Sequence, residues 1–212
     1  MGTAGFKIRT QEACFLIDPF LSRNRQASPS QTLRPSDLKT ASHIFISHGH
    51  FDHIMDVPTI AEKTGACVVC SPTAAHTLSD MGLARIGRKL PDFFPLLVNF
   101  PCGQVLSWQF EIQNKRLLFF GSAGSTAKEL QRLKSTPCDI LFLPLQGHSK
   151  ICEKALAYVE ALGPGCVIPH HQDDFFPPLS RTVDITPFTD QVAKAFPGIE
   201  VRPMGLNETL VL

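Results

Sequence analysis

Short apolar runs bounded by polar or turn residues recur along the chain, and between them lie stretches whose apolar positions fall three or four apart. The first pattern predicts buried or half-buried strands and the second amphipathic helices. Phe6–Thr10 and Ala13–Asp18 read as short strands, the second ending at Asp18-Pro19, and Ser42–Ser47 reads as a buried strand. A polar stretch from Ser22 to Ser36, with Pro29 and Pro35, reads as loop. Asp56 is placed to cap a helix that holds Pro58 and runs to about Lys63. Ala66–Cys70 is a strand, after which Ser71 caps a helix with Pro72 at its first position and Gly82 just past its end.

Pro91–Pro101 is rich in Phe and Pro and has no clean period. Val105–Ile112 and Arg116–Gly121 read as strands around a Gln113-Asn114-Lys115 turn. Then come helix Ala127–Leu133, strand Asp139–Leu145 and an amphipathic helix Ser149–Leu162 closed by Gly163-Pro164. Strand Cys166–Pro169, helix Pro187–Phe196 and short strands at Glu200–Arg202 and Thr209–Leu212 complete the reading. No repeat or linker interrupts it, so residues 1–212 are expected to form a single domain. Strand–helix alternation predicts the α/β class (α+β in some schemes), with helices covering the outer faces of sheets.

Composition narrows the function classes. Hydrophobic residues make up 43% and charged residues 18%, enough to bury a core and too little charge for a disordered chain. A net charge of +1 carries no footprint for nucleic acid or an anionic membrane surface. The densest basic patch, Arg85–Lys89, reads as a solvated loop. No apolar run approaches a membrane span, and the first ten residues do not form a secretory leader. Seven cysteines, an odd number, fit a reducing compartment and buried thiols, so a cytoplasmic location is expected. Cys67 and Cys70 form a C-x-x-C inside a strand, where an odd offset sends the thiols to opposite faces, and this argues against a redox pair.

The chemistry concentrates in one loop. Of eight histidines, four (His43, His48, His50 and His53) fall within eleven residues. Ser47-His48-Gly49-His50-Phe51-Asp52-His53 follows a strand and precedes a helix, a place from which several side chains can be aimed at one point. Three imidazoles and a carboxylate suit zinc or another borderline first-row ion, and they exceed what one tetrahedral ion with an open position needs. His43 lies within the strand and reads as structural or as a donor behind the ligands.

His48-x-His50-x-Asp52-His53 after an apolar strand resembles the signature of the metallo-β-lactamase superfamily. Phe15-Leu16-Ile17-Asp18-Pro19 resembles its first motif, in which an aspartate at a strand end supports the metal loop. Val167-Ile168-Pro169-His170-His171 resembles its last, a strand ending in a metal-binding histidine. The branch looks like the small hydrolases related to the ascorbate-phosphate lactonase and the N-acyl-phosphatidylethanolamine phospholipases. The resemblance implies a four-layer αββα sandwich and a metal-dependent hydrolase of small molecules. It puts a first ion on His48 and His50, and a second on Asp52, His53 and His171. Asp52 is the catalytic residue, orienting a hydroxide toward an ester, lactone or phosphodiester, while His170 contacts substrate or stands behind the ligands. Zinc is the implied metal, as one or two ions, with manganese or iron as substitutes. A redox-active or non-catalytic metal binder of the same fold is the alternative.

Two departures from the pattern stand out. Ser122, in Gly121-Ser122-Ala123-Gly124, occupies the place of the family's bridging aspartate, and a neutral hydroxyl is a much weaker ligand. The histidine that the family places upstream of that strand has no counterpart between Cys102 and Gly121. A loop missing near residues 107–115 accounts for it. His148, before the helix at Ser149, is the substitute candidate, and it reads equally well as a helix-start residue.

Overall fold

The computed structural model describes residues 1–83, 102–124 and 126–211, so the Pro91–Pro101 and Arg85–Lys89 segments lie outside the described residues. The described chain falls into two compact units. One comprises residues 1–25 and 30–106, the other 26–29 and 107–212.

The first unit carries a four-stranded sheet, β1 (Phe6–Arg9), β2 (Cys14–Ile17), β3 (His43–Phe45) and β4 (Cys67–Val69), in that spatial order. β1 and β2 are antiparallel; β2, β3 and β4 run parallel. Parallel neighbours need crossovers. One of these crossovers contains α1 (Phe51–Ile54) and α2 (Val57–Thr64), and α3 (Pro72–Asp80) follows β4. Leu16, Ile44, Ile46, Ile54, Val57, Ile60, Ala74 and Leu78 form this unit's core, each at most 1% exposed. As expected, the Ser71 hydroxyl accepts the Ala74 N–H, and Pro72 opens α3. Asp56 departs from its expected role. It precedes α2, but its carboxylate accepts the backbone N–H groups of Leu21 and Ser22, 35 and 34 residues away. A buried carboxylate here ties down the chain after β2 instead of the helix start.

The second unit has a five-stranded sheet in sequence order: β5 (Ser107–Ile112), β6 (Lys115–Phe120), β7 (Ile140–Pro144), β8 (Cys166–His170) and β9 (Glu200–Val201). β5 and β6 form a hairpin with all six residue pairs in register, from Ser107–Phe120 to Ile112–Lys115. Gln113 and Asn114 turn it with φ of 49° and 63°, the left-handed pair that two-residue hairpins favour. The remaining pairs are parallel, with α4 (Ala127–Leu133), α5 (Ile151–Leu162) and α6 (Thr186–Ala195) in the connections. β7 is buried at every position, as an interior parallel strand should be. Leu141, Leu143, Val159, Val167, Phe188 and Val192 are fully buried in this core. The expected strand at Thr209–Leu212 does not form; residues 209–211 are irregular, and no described strand offers them a ladder. Two sheets with helical connections confirm the α/β class. No helix among the described residues is long and apolar enough to cross a membrane.

Candidate metal centre

The loop after β3 is organised by a carboxylate 29 residues upstream. Asp18 leaves the end of β2 fully buried, with φ of 41°, a left-handed conformation that Asp tolerates better than most residues. Its backbone N–H donates to the Phe45 carbonyl at 3.0 Å, which holds that turn against β3. Asp18 Oδ1 accepts the Ser47 N–H at 2.7 Å. Asp18 Oδ2 accepts the Ser47 hydroxyl and, at 2.8 Å, His53 Nδ1.

These contacts assign the tautomers of two imidazoles. His53 Nδ1 must carry the proton it gives to Asp18, so Nε2 holds the lone pair. Ser47 spends its proton on Asp18 and accepts from His48 Nδ1 at 3.0 Å, so His48 Nε2 is also a lone-pair nitrogen. A carboxylate bonded to the far ring nitrogen is the usual way to orient and strengthen a ligating histidine.

His48 Nε2 lies 3.0 Å from His50 Nδ1, and His53 Nε2 lies 3.4 Å from Asp52 Oδ2. Electron-rich atoms at such separations repel unless a proton or a cation lies between them. For His53, burial pulls the pKa down, while the carboxylates of Asp18 and Asp52 and the hydrogen bond to Asp18 push it up; the net direction is upward. His48, Asp52 and His53 are buried, and His50, the residue preceding α1, is exposed. Nitrogen and carboxylate donors with fixed tautomers fit a borderline divalent cation.

A third donor joins His48 and His50. One ring nitrogen from each and Cys102 Sγ all lie within 4.8 Å of one another. Cys102 is half-buried, and burial pushes its thiol up from the ordinary range. Its carbonyl accepts the Gly49 N–H at 2.9 Å, and the Leu106 N–H reaches the Ser47 carbonyl at 2.8 Å. In the sequence Cys102 stands only as one of seven thiols, and Ser47 carries no separate signal. Histidine spacing could not have exposed Cys102, because it lies 52 residues beyond His50.

The second unit places the adjacent histidines His170 and His171 differently. His170 closes β8, is 2% exposed, stacks on Phe119 with ring centroids 5.0 Å apart, and bonds the Phe120 carbonyl through Nε2 at 3.2 Å. His171 follows with φ of 58°, is only partly buried, and meets the edge of Phe175 at 5.2 Å. The left-handed residue ends the strand and breaks the alternation of side chains. Ser122 is half-buried in the loop after β6. His148 is exposed, and its Nδ1 accepts the Lys150 N–H at 2.9 Å before α5, a helix-start role. His76, 83% exposed, lies 3.8 Å from Asp80 on α3, and His43 is exposed beside Ser42 and Phe45.

Comparison with known proteins gives a consistent picture. The family described as "Beta-lactamase superfamily domain" matches residues 1–171. The UPF0173 metal-dependent hydrolase of Pyrococcus furiosus is 31% identical over 201 residues, covering 85% of this chain and 85% of its own length. That of Carboxydothermus hydrogenoformans is 28% identical over 235 residues, covering 100% and 98%. Among solved structures, Igni18, a metallo hydrolase from the archaeon Ignicoccus hospitalis, superposes with a TM-score of 0.75 at 26% identity, covering 99% of this chain and 94% of that one.

Proposed function

The chain belongs to the metallo-β-lactamase superfamily, and from that premise we propose that it hydrolyses an ester, lactone or phosphodiester bond in a small molecule, with zinc as the working metal. The observation that carries the reading is the Asp18-governed pair of imidazoles, whose Nε2 lone pairs face further donors. The relatives are named metal-dependent hydrolases, which supports metal-dependent hydrolysis as the activity.

In this reading His48 and His50 hold a first ion, and Asp52, His53 and His171 hold a second where one binds. A bound divalent cation would supply water acidified to a pKa of about 7, together with positive charge opposite the oxygen that becomes anionic. The chain's own residues do the rest. Asp18 and Ser47 keep both imidazoles in the ligating tautomer. Asp52, buried beside His53, orients the attacking water and takes up its proton. The Gly121–Gly124 loop offers backbone N–H groups to an anionic part of the substrate. Ser122 lacks the charge of a bridging carboxylate, which favours tighter binding of the first ion than of the second.

The test pairs metal analysis with a panel of generic ester, lactone and phosphodiester substrates. Zinc-loaded protein should turn over at least one class, a chelator should abolish that turnover, and added zinc should restore it. His50→Ala and Asp52→Ala should each remove activity and lower bound metal. Full activity in either variant, or turnover indifferent to the chelator, would overturn the reading.

A further inference from the structure

We propose that Cys102 is a metal ligand, its thiolate completing with His48 and His50 a three-donor site selective for a thiophilic cation such as zinc. This deepens the function proposed above and rests on it.

Three independent observations converge. The first is proximity: one nitrogen from each imidazole and Cys102 Sγ lie within 4.8 Å of one another. Ligand atoms around tetrahedral zinc, with bonds of about 2.0–2.3 Å, stand roughly 3.4–3.6 Å apart. The second is anchorage. The Gly49 N–H, between the two histidines, donates to the carbonyl of Cys102 itself, and Leu106 pairs with Ser47. The cysteine and both imidazoles are thus fixed to one another through the backbone.

The third is the geometry of the next residue. Gly103 has φ of +64°, and a Cβ there would fall 2.5 Å from the Thr73 side chain on α3. Both the conformation and the close approach require glycine. The backbone beside Cys102 is therefore held on α3. No histidine occurs between Cys102 and Gly121, so no imidazole from that stretch competes for the position.

The chemistry is balanced simply. The thiol releases its proton to solvent, and the sulfur lone pair forms the bond to the cation. Two imidazoles and a thiolate leave one tetrahedral position open, the three-ligand arrangement that catalytic zinc sites share. Such a set prefers zinc to magnesium, calcium or manganese, whose preferred donors are oxygens.

X-ray absorption at the zinc edge of the loaded full chain should show a sulfur shell near 2.3 Å beside nitrogen near 2.0 Å. Cobalt(II)-loaded protein should show an intense near-ultraviolet thiolate-to-cobalt band. Cys102→Ser should remove that band and weaken zinc binding on the order of 100-fold, since even residues behind a ligand are worth 10–100-fold. Cys102→His should regain zinc affinity without the band, which separates lost ligation from lost folding. Metal bound through nitrogen and oxygen alone, or a band that persists in Cys102→Ser, overturns the assignment and leaves the proposed hydrolysis standing. A wild-type chain that takes up neither zinc nor cobalt overturns both.

Discussion

The two units use their buried polar groups in opposite ways. In the first, Asp18, Ser47, His48 and His53 form one connected hydrogen-bond relay, and each proton in it has a single consistent placement. In the second, buried His170 is absorbed into packing against Phe119 and the Phe120 carbonyl, while its neighbour His171 stays partly exposed on a left-handed turn. Adjacent histidines in a sequence can therefore have different employers. What separates them is the end of the strand: up to it, alternation sends a ring into the core, and one residue past it the left-handed turn aims the ring along another direction.

The largest blow to this contrast should come from Asp18→Ala. It strips the partner from His53 and from Ser47 in a fully buried setting, and breaking such a pair costs about 3–5 kcal/mol. Urea unfolding should show that loss, and zinc uptake should fall with it. If the variant keeps both its stability and its capacity to bind metal, the relay has no organising role.

The second unit predicts a smaller, split effect. His170→Ala should cost roughly 2–3 kcal/mol, combining a lost stacked ring with an unpaired Phe120 carbonyl. His171→Ala should cost less stability than His170→Ala, because His171 is only partly buried, while lowering bound metal if the proposed second site is correct. Equal destabilisation by the two changes would erase the distinction drawn here.

The smallest effect concerns thiols. Burial, with the Asp139 charge adding to it and hydrogen bonds to the Leu118 and Ile140 backbone opposing it, leaves Cys138 pushed up to about 12. The unfolded chain's thiol ionises near 9, so the unfolded state loses its proton first as pH rises. The stability associated with the neutral thiol is intact below pH 9 and drains away toward pH 12. Cys138→Val should flatten the fall in urea midpoint between pH 8 and 10, relative to the parent. An unchanged slope would count against this burial effect.

Much of this was legible in the chain. Strand and helix positions followed from apolar periodicity, because most elements bury one face or, as in β7, every face. The His48–His53 donors were legible because they lie within six residues. Other features were not. Asp56 sits where a helix cap belongs, yet its partners are Leu21 and Ser22, and no local pattern encodes a bond spanning 35 residues. α1 is four residues long, too short to show a period. Cys102 meets the histidines through a backbone bond to Gly49 and the turn at Gly103, both tertiary facts. The alignment to the Carboxydothermus relative is longer than this chain, so part of that protein has no counterpart here.

The single carboxylate at the end of β2 has one more implication. Because it governs one ring directly and another through a hydroxyl, the orientation of both rings is inherited as a single trait. Lineages drifting at this position would forfeit the pair together, so intermediate forms with one correctly poised imidazole should be scarce among descendants.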